Sequence, residues 1–231
     1  MSIINVSNLT FSHEGSYDNI FENVSFQIDT DWRLGFIGRN GRGKTTFLNL
    51  LLGKYAYSGN ISSTVKFEYF PYDVEDKSLY TIEVMKSICT ECMDWEIFRE
   101  ISLLDVQEDA LYRPFNTLSN GEQTKVLLAA LFLTASCFLL IDEPTNHLDI
   151  DARNVVQNYL KRKKGFILVS HDRNLLDQCV DHILSINKTN IEIQKGNFTS
   201  WWENKTLQDN FELSENKKLL KEIGRLSYAA K

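Results

Sequence analysis

The chain has 231 residues, of which 43% are hydrophobic and 24% are charged. A chain of this length and composition can bury a sizeable core, which excludes a wholly disordered or low-complexity protein and suits one large domain or two small ones. The 25 Lys and Arg residues against 31 Asp and Glu residues give a net charge of −6, which argues against a domain that wraps nucleic acid through positive charge.

The first predicted elements are strands over residues 3–11, 24–28 and 34–37, where apolar and β-branched residues predominate. Residues 1–15, MSIINVSNLTFSHEG, lack the basic and then apolar pattern of a signal peptide, so we expect a cytoplasmic protein. A helix is expected over residues 46–52 with Gly53 as its stop, and another strand over residues 65–70.

Residues 79–112 are predicted to form a helical insertion, because they are rich in charge, free of Gly and Pro, and mostly helical in pattern. This segment contains a Cys-x-x-Cys pair, Cys89 and Cys92. Since a zinc site would want a second pair or histidines at ligand spacing, we expect all four cysteines of the chain to be free thiols.

From residue 117 onward strands and helices alternate. A turn at residues 118–121 is followed by predicted helices at 122–133, 152–160 and 173–179. Strands are predicted at 138–141, at 166–169, near Ile183 and near Ile191. The uncharged stretch 126–141 is shorter than the about 20 apolar residues of a membrane-spanning helix, so we interpret it as buried helix and strand. The alternation predicts an α/β fold with a mainly parallel sheet covered on both faces.

Residues 200–231 have a helical pattern interrupted only by Gly224. A helix of that length would extend about 48 Å, whereas a compact chain of this size has a radius of gyration of roughly 17 Å. We therefore expect this helix to project from the domain or to fold back. No Gly or Pro marks its end, so the chain is expected to be a fragment of something longer.

The segment between the third strand and the first helix fits the phosphate-loop pattern G-x-x-x-x-G-K-[ST]. It consists of Gly38, Arg39, Asn40, Gly41, Arg42, Gly43, Lys44 and Thr45, and Thr46 follows it. The glycines let successive backbone N–H groups close around phosphates at a helix N-terminus. We expect Lys44 to reach the β- and γ-phosphates of a bound nucleotide and the Thr45 hydroxyl to ligate Mg²⁺.

Two carboxylates follow the apolar strand 138–141. This position places Asp142 beside Mg²⁺ and Glu143 near an attacking water. His171 follows strand 166–169, at the sheet edge where a γ-phosphate would lie. Each signal alone is weak, since such residues often face solvent, but together with a phosphate loop they predict a phosphate-handling site with Glu143 and His171 beside the γ-phosphate.

These motifs resemble those of ATP-binding cassette domains, and the resemblance covers essentially the whole chain. Residues 118–122, LSNGE, look like the family's signature motif, residues 145–149 like its D-loop, and residues 169–172 like its switch-histidine motif. The resemblance implies a P-loop NTPase fold with a mixed sheet, spanning residues 1–199 with a helical subdomain at about 79–116. It also implies ATP and Mg²⁺ as cofactors, and a second cassette whose nucleotide Ser119 and Gly121 would contact.

Residues 143–149, EPTNHLD, and 170–173, SHDR, are similar to the F-type branch of that family, and the match is greatest with the Lsa-type resistance proteins. Members of this branch carry two cassettes and no membrane domain, and act on ribosomes. The resistance members relieve inhibition by lincosamides, streptogramin A compounds and pleuromutilins through a long inter-cassette linker. Residues 200–231 look like the start of that linker.

Three positions depart from the family pattern. Tyr72 stands where the family has a glutamine that ligates Mg²⁺ and senses the γ-phosphate, and a phenol is a poor neutral ligand for Mg²⁺, so slow hydrolysis is expected. His13 aligns with the aromatic residue that stacks on adenine, with Tyr17 as the alternative. Asn120 replaces a signature glycine, and its side chain would hinder close backbone approach to phosphate, although Asn tolerates left-handed conformations.

Two other functions remain open from the sequence. The chain could be the ATP-binding subunit of a membrane transporter, docking coupling helices near Tyr72 and the helical insertion. It could also be a nucleotide-dependent scaffold with negligible hydrolysis, which Tyr72 favours. Sedimentation with ribosomes or with membranes would distinguish the ribosome-associated ATPase from the transporter subunit.

Overall fold

The computed structural model describes residues 2–16, 18–39, 41–146, 148–187 and 189–229. Asn40 of the phosphate loop, the alternative adenine-stacking residue Tyr17 and His147 of the D-loop lie outside these ranges.

The N-terminal part of the chain is mainly β-structure. Its elements are β1 (Ile3–Phe11), β2 (Phe21–Asp29), β3 (Arg33–Ile37), α1 (Lys44–Leu51), β4 (Ser58–Ser62) and β5 (Lys66–Phe70). The insertion follows as α2 (Thr81–Ile88), α3 (Asp94–Leu103) and two 3₁₀ turns, Glu108–Tyr112 and Phe115–Thr117.

The C-terminal part alternates helices and strands. Its elements are α4 (Asn120–Leu133), β6 (Cys137–Asp142), α5 (Ile150–Leu160), β7 (Phe166–Val169), α6 (Arg173–Cys179), β8 (His182–Asn187), β9 (Asn190–Lys195) and α7 (Phe198–Ala229).

Two sheets organise the molecule. The larger has the order β5-β6-β7-β3-β8-β9, with every neighbouring pair parallel except β8 and β9. The smaller, β2-β1-β4, is antiparallel. This is the predicted α/β class with a mainly parallel central sheet. Strand β4 was not predicted, because its sequence SGNIS is mostly polar and exposed and pairs only with β1.

Alternate residues of the central strands enter two separate cores. Phe138 and Leu140 pack with α1 and the antiparallel sheet, whereas Leu139 and Ile141 pack with the helices, including those of the insertion. Because both faces of the strand are buried, it reads as a continuous apolar run, as is typical of a parallel sheet. The sheet is therefore covered by helices on one face and by the small sheet with α1 on the other.

The signature segment begins helix α4 instead of forming the predicted turn over residues 118–121. Ser119 is the N-cap of α4, so Asn120 and Gly121 are its first helical residues. Asn120 is not among the non-glycine residues with positive φ, so it does not use the left-handed conformation that we considered for it. The Ser119–Glu122 capping box explains this earlier helix start.

The prediction of four free thiols is wrong for Cys89 and Cys92, which are paired as a disulfide with their Cα atoms 5.6 Å apart. The two residues face each other across the turn that follows α2, where a spacing of three brings their Cα atoms within the usual range of disulfides. Cys137 and Cys179 are free.

Helix α7 is held at its start and exposed further along. The rings of Phe198 and Trp202 lie stacked, and the Arg173 guanidinium of α6 lies over both of them. Beyond these contacts at the start of the helix, Leu207 and Phe211 are mostly exposed. Within the described residues, no helix is both long and apolar enough to cross a membrane.

Candidate active site

The loop between β3 and α1 depends on its glycines. Gly43 has φ +100°, and an added Cβ would lie 2.5 Å from Cγ2 of Ile20. Gly41 also has a positive φ, +74°, which a side chain would strain. At Gly43 the loop therefore approaches Ile20 as bare backbone, and this glycine precedes α1, where backbone N–H groups can bind an anion.

Lys44 lies over this loop. Its Nζ donates a hydrogen bond to the carbonyl oxygen of Gly38, 2.7 Å away. Burial lowers the pKa of Lys44, while the nearby charges of Asp142 and Glu143 act in the opposite direction. A half-buried ammonium beside a glycine loop is suited to contacting phosphate oxygens.

Strands β6, β7 and β3 are neighbours and parallel, so their carboxyl ends meet at one edge of the sheet. Asp142 is paired in register with Val169, which brings Glu143 and His171 to the same edge as the phosphate loop. Glycine loop, carboxylates and histidine are therefore brought together by the strand order, as the sequence predicted.

Two oxygen groups that Mg²⁺ prefers as ligands lie side by side at this edge. The Thr45 hydroxyl is 3.4 Å from Oδ2 of Asp142. Among the described residues, no group of three or more His, Cys, Asp or Glu side chains could hold a metal by itself. A hydroxyl and one carboxylate suit Mg²⁺, which takes its remaining ligands from substrate phosphates and water.

Tyr69 is a further contact of Asp142 that the sequence analysis missed. Its hydroxyl donates to the same oxygen, Oδ2, at 3.1 Å. Burial and the adjacent charge of Asp142 raise the pKa of Tyr69 to about 12, so the phenol is neutral at physiological pH. The contact joins residues 73 positions apart and depends on the pairing of β5 with β6, so no local sequence signal could have found it.

Glu143 has an unusual backbone and an unusual carboxylate. Its φ is +50°, a conformation that is uncommon outside glycine. Its Oε1 is buried and has no hydrogen-bond partner within the part of the chain that the structure describes. His171 Nε2 makes only a long contact with that oxygen, at 3.5 Å. Burial raises the pKa of Glu143, which His171 partly offsets. Such a carboxylate is a stronger base than an exposed one.

These groups surround an open cleft of about 330 Å³. The cleft is lined by Gly41, Gly43, Lys44, Thr45, Thr46, Asp142, Glu143, Val169 and His171. All except Val169 are predicted site residues. The predicted residues Gly38, Arg39 and Arg42 belong to the loop but do not line the cleft.

Four predicted nucleotide contacts lie elsewhere. Ser119 donates to Oε2 of Glu122 at 2.7 Å, and Gly121 follows it in the first turn of α4. His13 is exposed, and its ring lies against those of Phe11 and Tyr55, at 5.2 and 5.9 Å between centroids. Tyr72 packs against the core on the helical side of the sheet. None of the four lines the cleft of its own chain.

Comparisons with known proteins show the family to which the chain is related. A family model described as "ABC transporter" matches residues 21–146, more than half of the chain. ABC transporter F family member 5 of Arabidopsis thaliana is 27% identical over 98% of this chain and 34% of its own length. The ribosome protection protein VmlR of Bacillus subtilis is 31% identical over 76% of this chain and 33% of its own length. The chain thus spans about a third of the length of these relatives.

Among solved structures, a metal-chelate type ABC transporter in an inward-facing conformation superposes with a TM-score of 0.70, covering 84% of each chain. At 20% identity, this likeness supports the fold alone.

Proposed function

The chain belongs to the ABC transporter family, and from this we propose that it binds ATP with Mg²⁺ in the cleft beside the glycine loop and hydrolyses the ATP. One observation carries the proposal: the Lys44 ammonium, the Thr45–Asp142 oxygen pair and the half-buried Glu143 carboxylate all line one cleft.

In the proposed reaction, each residue has a role that follows from its chemical group. Backbone N–H groups of the loop and the Lys44 ammonium bind the phosphates. Thr45 and Asp142 would hold Mg²⁺, which would supply positive charge to offset the charge on the transferred phosphate. Glu143 accepts a proton from the attacking water. His171, whose Nε2 lies 3.5 Å from Oε1 of Glu143, contacts the γ-phosphate.

Nucleotide binding is tested by Lys44→Ala, with Lys164→Ala as a matched control on an exposed lysine outside the cleft. Losing a charge-assisted hydrogen bond to phosphate should weaken ATP binding by about 10- to 100-fold. Calorimetry should show that loss in Lys44→Ala only, with both proteins folded. Unchanged affinity in Lys44→Ala would remove the basis for this site.

We further propose that the ATPase is of the F type, with the ribosome as its partner, and that it protects translation from lincosamide, streptogramin A and pleuromutilin antibiotics. The EPTNHLD and SHDR segments support this, as does the similarity to a ribosome protection protein. The length of α7, about 48 Å for its 32 residues, suits a linker that reaches away from the cassette.

Two experiments test the partner. A susceptible host that carries the gene encoding this chain should grow better in the presence of those drugs and of few other drugs. The protein should sediment with ribosomes in the presence of ATP. Growth unchanged across the drug panel would contradict the protective role.

A transporter subunit remains the alternative, favoured by exposed apolar side chains on the insertion. Tyr80, Trp95 and Tyr112 are 53%, 56% and 61% exposed, as a surface that docks another protein would be. Sedimentation with membranes instead of ribosomes would support this function.

A further inference from the structure

Tyr69 lies beside the metal-binding carboxylate, and the proposed mechanism gives it no part. It pairs in register with Leu140, and Asp142 is two residues further along β6 on the same face. From this position the Tyr69 hydroxyl reaches Oδ2 of Asp142, at 3.1 Å.

The ring of Tyr69 is itself held in place. The ring packs against the apolar core that α1 and the antiparallel sheet form. The Lys54 ammonium lies over the ring, 5.5 Å from its centroid. Lys54 follows α1, the helix that begins with Lys44 and Thr45. The Tyr69 ring thus contacts the segment that directly follows the helix carrying the phosphate-binding residues.

We propose that Tyr69 is a positioning residue that orients the Asp142 carboxylate for Mg²⁺. Both hydrogen bonds described for Asp142 end on Oδ2, one from Thr45 and one from Tyr69, which leaves Oδ1 for the metal. The Thr45 oxygen is itself expected to bind the metal, so metal binding would replace its hydrogen bond to Asp142. The hydrogen bond from Tyr69 to Asp142 can persist when the metal is bound. The inference rests on the proposed ATP and Mg²⁺ site.

The same contact bears on the departure at Tyr72. The sequence placed a phenol at the position of the family's metal-sensing glutamine, but the side chain of Tyr72 packs against the core on the helical side of the sheet. The phenol that contacts the metal-binding group is three residues earlier in the chain. Partners of this kind, which fix a metal ligand without touching the metal, typically change metal affinity by about 10- to 100-fold when removed.

The test uses Mn²⁺ as a spectroscopic substitute for Mg²⁺ and ADP as a nucleotide that is not turned over. Electron paramagnetic resonance measures Mn²⁺ binding to the ADP complex of the whole chain, and calorimetry measures ADP binding in EDTA. Tyr69→Phe keeps the ring and removes the hydroxyl. Tyr57→Phe is the matched control, since Tyr57 packs on the same core away from the cleft.

Tyr69→Phe should weaken Mn²⁺ binding by about 10-fold or more and leave metal-free ADP affinity and thermal stability as in the wild type. Tyr57→Phe should change neither affinity. Wild-type Mn²⁺ affinity in Tyr69→Phe would overturn the inference, and so would an equal loss of metal-dependent and metal-free binding, which indicates a general structural role. A loss that follows Tyr72→Phe instead would return the metal-sensing role to Tyr72. If the wild-type chain binds no ADP with or without metal, the proposed function fails first and the role of Tyr69 fails with it.

Discussion

At the scale of single residues, Glu143 combines a strained backbone with a desolvated carboxylate. A positive φ in a non-glycine residue and a buried oxygen without a hydrogen bond each cost free energy, and both cluster at functional sites. The backbone N–H of Glu143 donates to the carbonyl of Val169 at 2.9 Å, which helps to hold this conformation at the end of the strand. The fold thus maintains an unfavourable residue at the position of the proposed base.

We predict that Glu143→Gln slows hydrolysis by about 10²-fold or more, as expected for the loss of a general base. ATP binding should persist, because glutamine keeps the size of the side chain and Lys44 still contacts the phosphates. Phosphate release in single turnover and filter retention of labelled ATP measure the two properties on the same preparations. Hydrolysis at the wild-type rate would show that Glu143 is not the catalytic carboxylate.

The raised pKa of Glu143 predicts the pH dependence of the reaction. Only the ionised carboxylate accepts a proton, and burial raises its pKa above the ordinary 4.5, so the rate should fall with decreasing pH before an exposed glutamate would protonate. The same shift means that Glu143 favours folding at pH values where it is protonated and opposes folding once it is ionised. A pH–rate profile should show this acid limb in the wild type, and its persistence in Glu143→Gln would assign it to another group.

At the scale of elements, a buried ion pair joins the helical insertion to the rest of the domain. Glu100 of α3 is 1% exposed and accepts hydrogen bonds from Lys163, after α5, and from Tyr159 of α5. Burial raises the pKa of Glu100, but these hydrogen bonds outweigh it and the net pKa is lowered. The Lys163 ammonium also lies over the Tyr159 ring, 4.7 Å from its centroid.

We predict that Lys163→Met destabilises the protein by about 3 kcal/mol, because it leaves the Glu100 charge buried with less compensation. Since 1 kcal/mol shifts Tm by about 2–4 °C in a domain of this size, Tm should fall by roughly 6–12 °C. Chemical denaturation and thermal unfolding give both quantities. Lys164→Met, at the exposed neighbouring lysine, should stay close to the wild type, and an equal loss there would mean that the buried pair contributes nothing specific.

At the scale of the whole molecule, the signature segment lies apart from the cleft of its own chain. Ser119 caps α4 and is exposed, so a second cassette can reach it. The family resemblance implies that this serine completes the nucleotide site of the other cassette. One chain alone would then hold an incomplete site.

We predict that turnover by this chain rises more than linearly with its concentration, because two copies must pair. A complementation test is sharper. Ser119→Ala and Glu143→Gln should each be inactive alone, whereas a symmetric pairing gives one intact site in each mixed dimer, so an equal mixture should recover about a quarter of wild-type activity. Strict proportionality to concentration and no recovery on mixing would contradict the shared site.

The local sequence pattern was sufficient to predict the phosphate loop, the positions of Asp142 and Glu143, and the strands around them. Glycine spacing and apolar runs are properties of neighbouring residues. Helix α7 was also predictable, beginning at Phe198, two residues before the predicted boundary. The predicted boundary of α4 was wrong because a side chain there acts on the backbone. The Ser119 cap makes the helix begin at Asn120 instead of at the predicted residue 122.

By itself the sequence determined the class of fold and all of the cleft-lining residues except Val169, because these follow from motifs with fixed spacing and from alternation along the chain. Only the tertiary structure decided which strands are neighbours, and with it the contact of Tyr69 with Asp142, the burial of Glu100 and the edge position of β4. Each of these depends on residues far apart in the chain that approach only when the sheet is assembled, and local periodicity carries no information about such pairs.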